Sequence, residues 1–153
     1  MKALDEKRVF GTKKPGVQYT STLSTYAVIF NLKKDQVGIL RTDEHYVLPG
    51  GEMVQNESDI ECLQRKIKEE IGANIEVGCH LGNAADYYYS PRDSQYVRNE
   101  GDFYLGKLSR QEEHHNHMFE WMSPNEAIEK LWLDHQKWAV QEGVNVMQTS
   151  SLF

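Results

Sequence analysis

Apolar residues gather along the chain in short runs set apart by polar turns. From Ser24 to Leu32 the run STYAVIFNL is rich in β-branched and aromatic residues and predicts a buried strand. Lys33-Lys34-Asp35 reads as a turn, and Gln36 to Leu40 as the returning strand. A short extended piece, Tyr46-Val47-Leu48, runs into Pro49-Gly50-Gly51, which is expected to break regular structure. The clearest helix follows. Ile60, Leu63, Ile67 and Ile71 recur at helical spacing and predict one apolar stripe facing a core. Ser58 with Glu61 forms a capping box at its start, Lys68 suits its last turn, and Gly72 suits a left-handed C-terminal cap. Ile75 to Tyr89 and Gln95 to Leu108 predict two long strands around the turn Ser90-Pro91-Arg92-Asp93. Arg110 to His117 is polar and reads as a loop, and Phe119 to Met122 as one more strand. Pro124 suits the first turn of a second helix reaching about Leu131, capped by Ser123, and a terminal helix is predicted from Asp134 to Val146. Strands, helix, strands, then helices predict a mixed sheet with helices packed on it.

Composition narrows the class. A chain of 153 residues is read as one domain over 1–153, with a single sizeable core. Its net charge of −6 disfavours bulk nucleic-acid binding, since an acidic surface repels a phosphate backbone. A small phosphorylated ligand whose charge is met locally by metal ions stays open. Cys62 and Cys79 lie in no C-x-x-C pair and are expected to be two buried thiols in a reducing compartment. The N-terminal residues show no apolar signal region, and no run approaches the ~20 apolar residues of a membrane span. The expectation is a cytoplasmic protein with no membrane partner, as a monomer or homodimer.

Chemistry concentrates between Gly50 and Ala73, GGEMVQNESDIECLQRKIKEEIGA. A sharp glycine turn feeds a helix dense in carboxylates on its polar face. Glu69 and Glu70 are adjacent, and position 66 lies one turn before them on the same side. Hard divalent ions take one or two protein carboxylates, with the rest from water and substrate phosphate, and a turn carbonyl at Gly50 would supply another oxygen. Read from the residues alone, the segment is either a mount for a metal bridging a diphosphate or an ordinary solvated acidic face.

The segment resembles the Nudix box: Gly, five residues, Glu, seven residues, Arg-Glu, an aliphatic, any residue, Glu-Glu, any residue, Gly, an aliphatic. Gly51, Glu57, Arg65, Ile67, Glu69-Glu70 and Gly72 stand in register with it, and Ala73 closes it. The resemblance implies an α/β fold, the Nudix α/β/α sandwich with a mixed β-sheet. It implies hydrolysis of the diphosphate bond of a nucleoside diphosphate linked to another group, a small-molecule nucleotide derivative. It also implies Mg²⁺ or Mn²⁺ as cofactor, held by Glu69, Glu70 and the Gly50 carbonyl, with Gly51, Glu57, Arg65 and Gly72 as structural support.

One position departs from the box. Lys66 stands where the glutamate after the arginine is expected, which changes the local charge by two units. Two readings compete. In one, Glu69, Glu70 and Gly50 still hold a metal ion, Arg65 and Lys66 help meet substrate phosphate, and Glu112 or Glu113 of the polar loop supplies the base. In the other, Lys66 pairs with Glu70 and the site binds nucleotides without cutting them, as a sensor. Tyr87 and Tyr89 are candidates to stack a nucleobase, with core packing as the plainer reading. His114, His115 and His117 match no zinc spacing, and Trp121, Trp132 and Trp138 are expected to pack the core. Arg92, Arg98 and Lys107 are further cations that nothing in the sequence singles out.

Overall fold

Strand β2 (Thr20–Ile29) carries the alternation that organises the molecule. Tyr26, Val28 and the following Phe30 turn one way, into a core with Ala139 and Val140; Ala27 and Ile29 turn the other, against Leu63, Ile67 and Ile71. One strand therefore feeds two cores, and a helix must cover each face. The structure, a computed structural model, describes residues 8–109 and 118–150.

Before β2 lies β1 (Arg8–Phe10); after it come β3 (Val37–Arg41), β4 (Tyr46–Val47), β5 (Gly50–Glu52) and helix α1 (Asp59–Ile71). The long strands β6 (Ile75–Ser90) and β7 (Gln95–Leu108) follow, then β8 (Phe119–Met122), α2 (Pro124–Lys130) and α3 (Asp134–Ser150). Five strands form one mixed sheet in the order β1-β6-β7-β2-β5, with β1/β6 and β2/β7 parallel and the other pairs antiparallel. α1 packs on one face and α3 on the other, which is the α/β/α sandwich.

Several expectations change. The strands split into two sheets, since β4-β3-β8 form a separate antiparallel set. β1 was not legible: its three residues gain a partner only from Ala84 to Asp86, far along the chain. Regular structure breaks at Leu48-Pro49, where the chain passes from one sheet to the other, but not at Gly50-Gly51. Gly50 to Glu52 pair with Tyr26 to Ser24 as an edge strand. Glycine permits this, because Gly50 has φ +130° and a Cβ there would lie 2.2 Å from the Thr25 carbonyl oxygen. On α1, Leu63, Ile67 and Ile71 are buried as expected, but Ile60 is exposed and Cys62 is buried instead. Helical spacing marks a face; burial depends on what lies beneath each turn of it. The terminal helix runs on to Ser150, past Val146. Both cysteines are free thiols, and only Cys62 is buried; Cys79 is exposed on β6. Among the described residues no helix is long and apolar enough to cross a membrane.

Candidate active site

The loop entering α1 is held by one carboxylate. Glu57 Oε2 accepts from Arg65 Nε at 2.6 Å, and Oε1 accepts from Arg65 Nη2 at 3.0 Å and from the Val54 amide at 3.0 Å. Arg65 Nη2 also donates to the Glu52 carbonyl at 3.1 Å, tying β5 to the helix. The Glu57 side chain is only 8% exposed, and the guanidinium fork holds its carboxyl down to about 2. The helix then starts on the expected capping box, with the Glu61 amide donating to Ser58 Oγ at 3.1 Å and the Ser58 amide donating to Glu61 Oε1 at 3.0 Å. It stops at Gly72, whose φ of 77° is the left-handed cap.

That frame aims the last turns of α1 at the edge strand. The Gly50 amide donates to Glu70 Oε1 at 3.0 Å. Glu70 is half-buried, and loss of water raises its carboxyl to about 7 despite the Gly50 amide and the Lys66 ammonium, which both act to lower it. Glu69 beside it is mostly exposed and accepts from Arg65 Nη1 at 3.3 Å. The Lys66 ammonium lies 3.8 Å from Glu69 Oε2 and 4.0 Å from Glu70 Oε2. Its stem crosses Gly51 so closely that a Cβ there would come within 2.8 Å of Lys66 Cε.

Glu70 opens onto a cleft of about 650 Å³ between the two sheets. Tyr88, Trp132, His45, Arg41 and Arg92 also line it. Tyr87 and Tyr89 point away on the opposite face of β6, where Tyr87 meets Tyr19 and Arg98, and Tyr89 meets Tyr96. Trp121 and Trp138 pack on the cores as expected, but Trp132 lines the cleft. In the interior, Tyr26 Oη donates to Asn99 Oδ1 at 3.2 Å, and His135 Nε2 lies 2.8 Å from the same oxygen. The His135 amide donates to Asp86 Oδ2 at 3.1 Å. Burial pushes the Asp86 carboxyl up to about 6 and the His135 imidazole down to about 3.

Of the residues singled out from the sequence, the fold assembles Gly50, Gly51, Glu57, Arg65, Lys66, Glu69, Glu70 and Gly72 into one loop–helix unit. It places Tyr87 and Tyr89 elsewhere. Glu112, Glu113 and the histidines at 114, 115 and 117 lie outside the described residues. Tyr88, Trp132 and His45 were not foreseen. Strand alternation separates Tyr88 from its neighbours, but the sequence carries no sign of which face meets a cleft.

The donors present suit a hard divalent ion. Among the described residues no group of three or more His, Cys, Asp or Glu side chains could enclose a metal. Glu69 and Glu70 offer carboxylate oxygens only, the partial set that Mg²⁺ completes with water and phosphate. What touches Glu70 from Gly50 is its N–H.

The site is thus an arginine-braced acidic helix end beside a cleft, carried by a mixed sheet between helices. The NUDIX domain pattern matches residues 21–141. The chain belongs to the Nudix family. No curated protein matches it in sequence. Among solved structures it is similar to Caenorhabditis elegans Ap4A hydrolase, with 16% identity and a TM-score of 0.67 over 84% of this chain and 99% of that one. The Escherichia coli dihydroneopterin triphosphate pyrophosphohydrolase aligns at 14% identity and TM-score 0.70, over 81% of this chain and 95% of that one. An ADP-ribose pyrophosphatase from Streptococcus suis aligns at 21% and 0.56, over 82% and 92%. At these identities the likeness is one of fold.

Proposed function

We propose that this chain hydrolyses the diphosphate bond of a nucleoside diphosphate linked to another group, using Mg²⁺ or Mn²⁺ held by Glu69, Glu70 and the Gly50 carbonyl. The observation that carries this reading is Glu70: a half-buried carboxylate on the wall of the cleft, fixed by the Gly50 amide in a loop that Glu57 and Arg65 brace. The structural neighbours named for Ap4A, dihydroneopterin triphosphate and ADP-ribose all handle phosphorus anhydrides, which supports the same class of substrate.

The ion supplies charge neutralisation on the diphosphate and a more acidic attacking water. The chain's own residues do the rest. Among the described residues, two arginines, Arg41 and Arg92, line the cleft against four carboxyl side chains, Asp43, Glu44, Glu70 and Asp93, so they leave it net anionic and poorly disposed to a free diphosphate. Arg65 keeps Glu69 and the β5 backbone in place, and Lys66 stands close enough to the acidic pair to meet phosphate charge there. Glu112 and Glu113 are the proposed bases.

A second reading, a nucleotide-binding sensor, is favoured by Lys66, whose ammonium already neutralises the pair a metal would use. A screen of the purified protein against nucleoside diphosphate derivatives with Mg²⁺ and with Mn²⁺, scoring monophosphate release, separates the two. Metal-dependent cleavage supports the hydrolase. Binding without cleavage across the whole set would remove it in favour of the sensor.

A further inference from the structure

The cleft contains an aromatic pair whose geometry is that of stacked bases. The rings of His45 and Trp132 lie 3.8 Å apart at an interplanar angle of 5°. Trp132 is fixed from three sides. Its amide donates to the Tyr46 carbonyl at 3.0 Å, Tyr88 meets the indole edge-on at 5.0 Å, and the imidazole covers a face. His45 is held differently. It sits in the exposed turn between β3 and β4, closed by bonds between its own backbone and Thr42. Among the described residues its Nε2, though hidden from water, has no hydrogen-bond partner, and the Glu44 carboxylate at 3.8 Å is beyond hydrogen-bonding reach. Among the described residues, swinging the imidazole out breaks no side-chain hydrogen bond and returns a stranded polar atom to solvent, and what it gives up is the ring stack and the approach to Glu44, which a stacking base replaces in part. It uncovers a flat indole face in the same cleft as Glu70.

We infer that Trp132 is the platform on which the base of a nucleotide ligand stacks, and that His45 fills the base's place until the ligand displaces it. The inference rests on the reading of this cleft as the site of a nucleotide derivative and adds where its base goes. A spacing of 3.8 Å leaves no room for a third ring between the two, so the base must replace the imidazole rather than slide between the rings. Every nucleobase has a π-face, so the platform selects base-bearing ligands over sugar phosphates without choosing strongly among bases.

The test uses ligands with no anhydride, so its outcome does not depend on cleavage. Binding of AMP and of ribose 5-phosphate is measured by calorimetry with Mg²⁺ for the unaltered protein, Trp132→Ala and His45→Ala. Expected is AMP binding at least about tenfold tighter than ribose 5-phosphate. Trp132→Ala should erase that preference, weakening AMP by about tenfold to a hundredfold and leaving ribose 5-phosphate unchanged. His45→Ala, which clears the platform, should tighten AMP. Should Trp132→Ala not fold, Trp132→Leu keeps apolar bulk against Tyr88 without the π-face and carries the same expectation. AMP bound no better than ribose 5-phosphate, including no binding of either, overturns the inference. So does a preference that survives loss of the indole, or an AMP affinity that falls in His45→Ala. A protein that cleaves no diphosphate yet prefers AMP through Trp132 refutes the hydrolase and keeps the platform; one that cleaves diphosphates but binds both probes alike does the reverse.

Discussion

Glu70→Gln separates the cost of the site from its use. In the metal-free protein Glu70 is half-buried, and its carboxyl rises from an ordinary 4.5 to about 7, chiefly through loss of water. At about 1.4 kcal/mol per tenfold, that rise corresponds to a penalty of about 3 kcal/mol for holding the charged form in the fold. Because the folded value lies above the unfolded one, the contribution favours folding fully only below pH 4.5 and is lost as pH rises through 7. Glutamine keeps an oxygen for the Gly50 amide but carries no charge. In EDTA at pH 8 the variant should therefore be more stable than the unaltered protein, by up to about 3 kcal/mol or roughly 10 °C in Tm. The gap should narrow to under about 1 kcal/mol at pH 5. Turnover should fall by roughly two orders of magnitude. Urea unfolding at both pH values and steady-state kinetics on the same preparations measure all three. A variant no more stable than the parent at pH 8, or one that keeps full turnover, refutes the reasoning.

Metal affinity should itself be pH-dependent, because an ion at Glu70 must expel the proton held there below about 7. Calorimetry should give weaker Mg²⁺ binding and measurable proton release at pH 6, both fading by pH 8. Lys66→Glu removes the ammonium from beside Glu69 and Glu70 and should raise Mg²⁺ affinity at least about tenfold; unchanged affinity would mean that position 66 does not face the ion. Gly50→Ala forces a Cβ to within 2.2 Å of the Thr25 carbonyl oxygen at φ +130° and should destabilise the fold by about 2 kcal/mol or more in chemical denaturation. If the loop supplies the base, Glu112→Gln or Glu113→Gln should lower kcat more than it raises KM, and full rate in the double variant would place the base elsewhere.

The loop–helix unit was legible because its contacts are local. The capping box, the Gly72 cap and the Lys66–Glu69–Glu70 cluster join residues close in sequence, where helical spacing decides who meets whom, while the Glu57–Arg65 fork was implied by the resemblance to the Nudix box. The long strands and the last two helices were readable for the same reason, from period and caps. Other features are properties of pairing at a distance. β1 exists only because Ala84 to Asp86 lie beside it, and Gly50 to Glu52 become a strand only because β2 presents a free edge. The cleft is the clearest case. Alternation along β6 separates Tyr88 from Tyr87 and Tyr89, yet both registers are chemically reasonable, and only the tertiary fold, which sets Trp132 against the Tyr88 ring, turns Tyr88 to the cleft. Trp132 and His45 lie far apart in the chain and stack only when Tyr46 brings β4 against the α2–α3 junction. Short-range geometry wrote the acidic half of the site into the sequence. Its aromatic half was decided by long-range strand pairing, which fixes direction and register in ways no local pattern encodes.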